Sequence, residues 1–133
     1  MKLIVGDYEF TIPDGIKFLP IMRGLWTVYD IQLGIFHIFC HVDIDHHNPE
    51  YLKDFILSCT RQDVVLEDVE INGIRGKRYG DYSETRTWID WYMKKGDSMV
   101  CINLQGYGMP DRQERSQFEK IINSLRYIGE KKR

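Results

Sequence analysis

Within the β-rich stretch Ile35 to Ile44 the chain alternates: Phe36, Ile38, Cys40, Val42 and Ile44 fall on one side of an extended segment, and His37, Phe39, His41 and Asp43 on the other. The same two-residue rhythm places Val100, Ile102 and Leu104 on a core-facing side within Ser98 to Tyr107. Further β-rich stretches run from Leu3 to Val5, Tyr8 to Ile12, Trp26 to Leu33, Val64 to Ile71, Ile74 to Tyr82 and Thr85 to Met93. Three turn signals join neighbours into hairpins: Gly6-Asp7, Asn72-Gly73, and Lys94-Lys95-Gly96-Asp97. Gly76 and Gly80, inside one of these arms, mark a bulge or a close backbone approach. Ile16 to Leu25, with Pro20 and Gly24, reads as an irregular crossover.

Two segments change period. Asn48-Pro49-Glu50 is a helix start, with a capping side chain, proline at the first helical position and an acid near the positive end of the dipole. Tyr51, Leu52, Phe55, Ile56 and Cys59 follow as its apolar stripe. Asp111 and Glu114 form a capping-box pattern, and Phe118, Ile121, Ile122 and Leu125 recur at helical spacing, so a second helix is expected from Asp111 to Ile128. These elements predict an α+β fold, an antiparallel β-sheet flanked by two main helices. It forms a single domain over residues 1–129, with a basic tail over 130–133 after Gly129.

Composition agrees with one self-sufficient domain: 133 residues, 43% of them hydrophobic and 13% aromatic, supply a core without staples. Eighteen basic and twenty acidic side chains give a formal charge of −2 without long runs, which favours neither nucleic acid nor an anionic membrane as partner. Cys40, Cys59 and Cys101 are odd in number, lack CxxC spacing and sit among apolar neighbours, so buried free thiols in a reducing, cytoplasmic setting are expected. Leu3-Ile4-Val5 turns polar at Gly6-Asp7, too soon for a signal-peptide core, and no apolar run reaches membrane-spanning length. Several strands are nonetheless apolar on both faces, so the sheet needs cover on both sides or leaves a patch for a partner.

Phe10-Thr11-Ile12-Pro13-Asp14-Gly15, then Glu70-Ile71-Asn72-Gly73-Ile74-Arg75-Gly76 with Lys77-Arg78-Tyr79, and the ending Phe118-Glu119-Lys120-Ile121-Ile122-Asn123-Ser124-Leu125 together resemble the Mog1/PsbP-like group, including DcrB-type domains of bacteria. Ile16 stands where that group commonly carries tryptophan. The resemblance implies an α/β/α sandwich used for binding, with members that assist photosystem assembly, contact a small GTPase or chaperone secreted toxins. The group shares no catalytic residues, so the resemblance implies a noncatalytic protein-binding module, in one version a chaperone or immunity-type partner of a secreted toxin.

Two constellations carry candidate chemistry. On the Thr85 to Met93 strand, Arg86, Trp88, Asp90 and Tyr92 share one face, and tryptophan, tyrosine and arginine are the residues that dominate protein interfaces. They are the candidate partner-binding set, through which a homodimer could also form; the plainer account is core packing under a helix, since aromatics fill cores as readily as interfaces. The alternative is a metal-binding protein or metal-dependent hydrolase: His41, Asp43, Asp45, His46 and His47 put five potential ligands into seven residues at a strand end. The Asp45-His46-His47 triplet matches a short element of the DHH phosphoesterases, whose further aspartate motifs are absent here. The plainer account is a polar strand-to-helix junction ahead of the Asn48 cap. Cys40 and His41 are strand neighbours pointing to opposite faces and cannot form a dyad, and no serine lies in a GxSxG elbow. No catalytic residue and no cofactor is assigned.

Overall fold

The computed structural model describes residues 1–23, 26–43, 66–96 and 98–129. Ten strands and one helix lie within them: β1 (Lys2–Val5), β2 (Tyr8–Thr11), β3 (Lys17–Arg23), β4 (Trp26–Leu33), β5 (Phe36–Asp43), β6 (Glu67–Ile71), β7 (Ile74–Asp81), β8 (Arg86–Lys95), β9 (Ser98–Tyr107), α1 (Arg112–Ile122) and β10 (Arg126–Tyr127). Seven strands form an antiparallel sheet in the order β3-β4-β5-β9-β8-β7-β6, and β1-β2-β10 form a second, three-stranded sheet.

The two-residue rhythm of the sequence is realised as a buried inner face. Ile31, Ile38, Leu104 and Ile89 lie in one cross-strand row, Cys40, Ile102 and Trp91 in the next. These residues share one core cluster with Leu3, Val5, Tyr8 and Phe10 of the small sheet and with Phe118, Ile121, Ile122 and Leu125 at the helix. Phe118 meets Phe36 with ring centroids 5.3 Å apart. The small sheet and α1 thus form one layer over the inner face of the large sheet. The layers are also pinned by a buried polar contact. The Tyr8 hydroxyl donates to the Ser98 carbonyl at 2.7 Å and accepts from the Lys95 amide at 3.0 Å, locking β2 onto the end of the β8–β9 hairpin.

Local chemistry explains the boundaries. Asp111 caps α1 by accepting from the Glu114 amide at 2.7 Å while the Glu114 carboxylate accepts from the Asp111 amide at 2.9 Å, which completes the expected capping box. Gly80 has φ +97°, and a Cβ there would run into the carbonyl of Trp88, so β7 passes β8 at a distance only glycine allows.

The architecture departs from the expected α+β sandwich. Among the described residues the chain is mostly β, with two antiparallel sheets and one short helix, not one sheet flanked by two main helices. Two local readings explain much of the difference. The crossover expected over Ile16 to Leu25 is strand β3, paired with β4 from Lys17 opposite Gln32 to Arg23 opposite Trp26; Pro20 is accommodated because β3 is an edge strand. The final helix does not reach Ile128. It ends at Ile122 with Asn123 as cap, and Arg126–Tyr127 pair with β2 instead, because Leu125 is needed in the core and the chain must turn to bury it. The helix expected after Asn48 lies outside the described residues.

Candidate binding face

The opposite, outer face of the large sheet gathers the polar halves of the alternating strands. Antiparallel pairing places directly opposed residues on one side of a sheet, so the register defines its rows. One row crosses Lys17, Gln32, His37, Gln105, Trp88 and Asp81; the next crosses Leu19, Asp30, Phe39, Asn103, Asp90 and Tyr79. A third joins His41, Cys101, Tyr92 and Lys77. Polar and aromatic residues from both sequence constellations therefore meet on a single surface.

Two carboxylates are buried in the middle row and held by neighbours. Asp90, 8% exposed, accepts from the Trp88 indole Nε1 at 2.6 Å and from Asn103 Nδ2 at 2.9 Å. Asp30, 6% exposed, lies 2.9 Å from His37 Nδ1 and accepts from Gln32 Nε2 at 3.4 Å. His37 stacks on Phe39 with centroids 5.6 Å apart. Three strand spacings separate the two carboxylates, roughly 14 Å, too far for them to act on one reacting bond as a glycosidase pair does.

The four residues singled out on β8 do share this face, but at different depths. Asp90 and Tyr92 are buried; Trp88 is half-buried and Arg86 exposed. Tyr92 stacks against Tyr79 at 6.1 Å, and burial, with the Asp90 carboxylate adding to it, pushes its hydroxyl pKa upward. The reachable part of the set is its end. Arg86 lies with its guanidinium carbon 4.6 Å from the centre of the Trp88 ring and 6.0 Å from that of Tyr107, its cross-strand partner on β9. Tyr107 is 75% exposed, and exposed Ile35, in the β4–β5 turn, and Met109 lie towards the same end of the strands. Tyr107 was not singled out in the sequence; its place two residues beyond Gln105 on the polar side of β9 is the signal that could have found it.

The metal candidates divide. His41 and Asp43 lie on β5 opposite Cys101 and Met99, while Asp45, His46 and His47 lie outside the described residues. Among the described residues no group of three or more His, Cys, Asp or Glu side chains converges. Cys40 is a buried free thiol and Cys101 is half-buried; burial, with Asp30 nearby, pushes the Cys40 pKa up to about 12. Cys59 lies outside the described residues. No described helix is long and apolar enough to cross a membrane.

No family model matches the chain, and no curated protein matches it. A crystal structure of a protein from Bacteroides thetaiotaomicron, at 1.50 Å resolution, is similar in fold with a TM-score of 0.60 at 9% sequence identity. The similarity covers 91% of this chain and 45% of that one, so the chain spans less than half of its structural neighbour. At that identity the likeness concerns the fold alone.

Proposed function

We propose that the chain is a noncatalytic protein-binding module whose outer sheet face, at the end marked by Trp88, docks another protein. The observation that carries this reading is a half-buried tryptophan, its indole fixed by a buried carboxylate, flanked by exposed Arg86 and Tyr107. Interface energy concentrates in such residues, because a rigid ring buries much area at little entropic cost. Both buried carboxylates of the face are engaged by its own side chains, which favours a scaffold role for them over proton transfer. A chaperone or immunity-type partner of a secreted toxin is the specific form suggested by the Mog1/PsbP-like resemblance, which rests on the sequence motifs alone.

The test is affinity capture from the native source with wild-type protein, with Arg86→Ala/Tyr107→Ala, and with Gln113→Ala on the exposed side of α1 as control. The reading expects capture by wild type and by the control, and loss with the double variant at an unchanged melting temperature. Equal capture by all three would sink it. A homodimer through the same face would appear in sedimentation as a dimer that the double variant dissociates.

A further inference from the structure

We infer that Arg86 is a carboxylate receptor: its guanidinium, held against Trp88 and Tyr107, takes an aspartate or glutamate side chain from a partner segment whose neighbouring residues are apolar. This rests on the binding-face reading and names the chemistry that face selects. A guanidinium placed over an aromatic ring spends none of its N–H donors on that contact, and two of them can grip a carboxylate with parallel hydrogen bonds.

The sheet itself shows what Arg86 lacks. On the neighbouring edge every cation is matched by an acid from the adjacent strand: Arg75 with Glu70, Lys77 with Asp68, and Arg78 with Glu67. Arg86 is opposed on β9 by Tyr107, and among the described residues it enters no ion pair. Its charge is therefore supported by ring faces on an exposed surface, with the acid left for a partner to supply.

The platform is also fixed in advance. Asn103 holds Asp90, and Asp90 holds the Trp88 indole, so the ring beneath Arg86 is ordered before anything binds and the entropic cost of docking falls. Tyr107, at 75% exposure, lies directly across from Arg86, and exposed Ile35 and Met109 lie towards the same end of the strands, which favours apolar residues beside the acid. A single guanidinium suits a singly charged carboxylate; phosphorylated segments are read by clusters of arginines.

The experiment is phage display of random heptapeptides on wild-type protein, followed by calorimetry with the most enriched peptide made synthetically. The inference expects enriched sequences to carry Asp or Glu beside apolar residues. It expects Arg86→Gln, or the amide in place of the peptide's acid, to weaken binding on the order of tenfold or more, and Arg86→Lys to recover only part of the loss. Combining both changes should weaken binding little beyond either alone. Neutral peptides that bind in a Tyr107-dependent way and ignore Arg86→Gln would overturn the carboxylate inference while leaving the face reading in place. No enrichment, or enriched peptides indifferent to Trp88→Phe and Tyr107→Ala, would overturn both. Unchanged melting of Arg86→Gln separates lost binding from lost folding.

Discussion

Replacing Tyr8 by phenylalanine removes one oxygen from the joint between the two sheets. The ring stays, fully buried and edge-on to Tyr127 with centroids 5.5 Å apart, so apolar burial is preserved. The hydroxyl's three bonds are lost: donation to the Ser98 carbonyl at 2.7 Å, and acceptance from the Lys95 amide at 3.0 Å and from Ser98 Oγ at 3.2 Å. Ser98 Oγ keeps a second acceptor, the Lys95 carbonyl, at 3.3 Å. The penalty therefore falls on one carbonyl and one amide that lose their Tyr8 partner, and leaving buried polar groups short of a partner costs about 1–3 kcal/mol each. With partial relaxation, a loss of about 2–3 kcal/mol is expected. For a domain of this size that corresponds to roughly 8–12 °C in melting temperature. Urea unfolding followed by tryptophan fluorescence measures it, with Tyr107→Phe as an exposed control expected to be neutral. A Tyr8→Phe midpoint indistinguishable from wild type would mean that the hydroxyl does not join the sheets as described.

Other consequences follow from the same packing. Gly80→Ala should destabilise by several kcal/mol and disturb the β7–β8 pairing, because the new Cβ meets the Trp88 carbonyl at a φ of +97°; native-state hydrogen exchange across β7 reads this directly, and protection equal to wild type would contradict it. Asp111→Ala should cost about 1 kcal/mol through loss of the cap, and Phe118→Ala about 3–5 kcal/mol through the cavity left under Phe36; chemical denaturation ranks the two, and the reverse order would count against α1 as a core element. Tyr8, Tyr82 and Tyr92 all have pKa values raised chiefly by burial, so the folded state holds protons that the unfolded state releases. Their contribution is intact below about pH 10 and declines as the pH rises further. Ultraviolet titration of tyrosinate beside unfolding curves should show delayed ionisation and falling stability together.

Much of the sheet was legible because burial imposes a period of two. Phe36, Ile38, Cys40 and Val42 could be assigned to one side from the letters alone, and the hairpin turn at Asn72-Gly73 fixed which strands are neighbours, with Asn72 and Gly73 both at positive φ. The capping box located the start of α1 for an equally local reason. The errors arose where a distant partner outweighs local propensity. Lys17 to Arg23 contains a proline and scarcely alternates, yet it forms β3 because β4 offers an unpaired edge. Residues 126–127 continue a helical pattern in sequence and are drawn into a strand by β2. The candidate site was half legible. Period two put Arg86, Trp88, Asp90 and Tyr92 on one face, but depth along that face depends on what packs across it, so only the structure separates the buried Asp90 and Tyr92 from the accessible Arg86 and Trp88.

The most direct test of a binding module that works through its outer sheet face is an amide and indole chemical-shift map of the labelled protein, titrated with the peptide selected by display. The account predicts that the largest changes fall on the Trp88 Nε1–H and on the amides of Arg86, Gln105 and Tyr107, while α1 and the β1–β2 hairpin stay unperturbed. Changes centred on α1 or the small sheet, with the Trp88 indole unmoved, would contradict it.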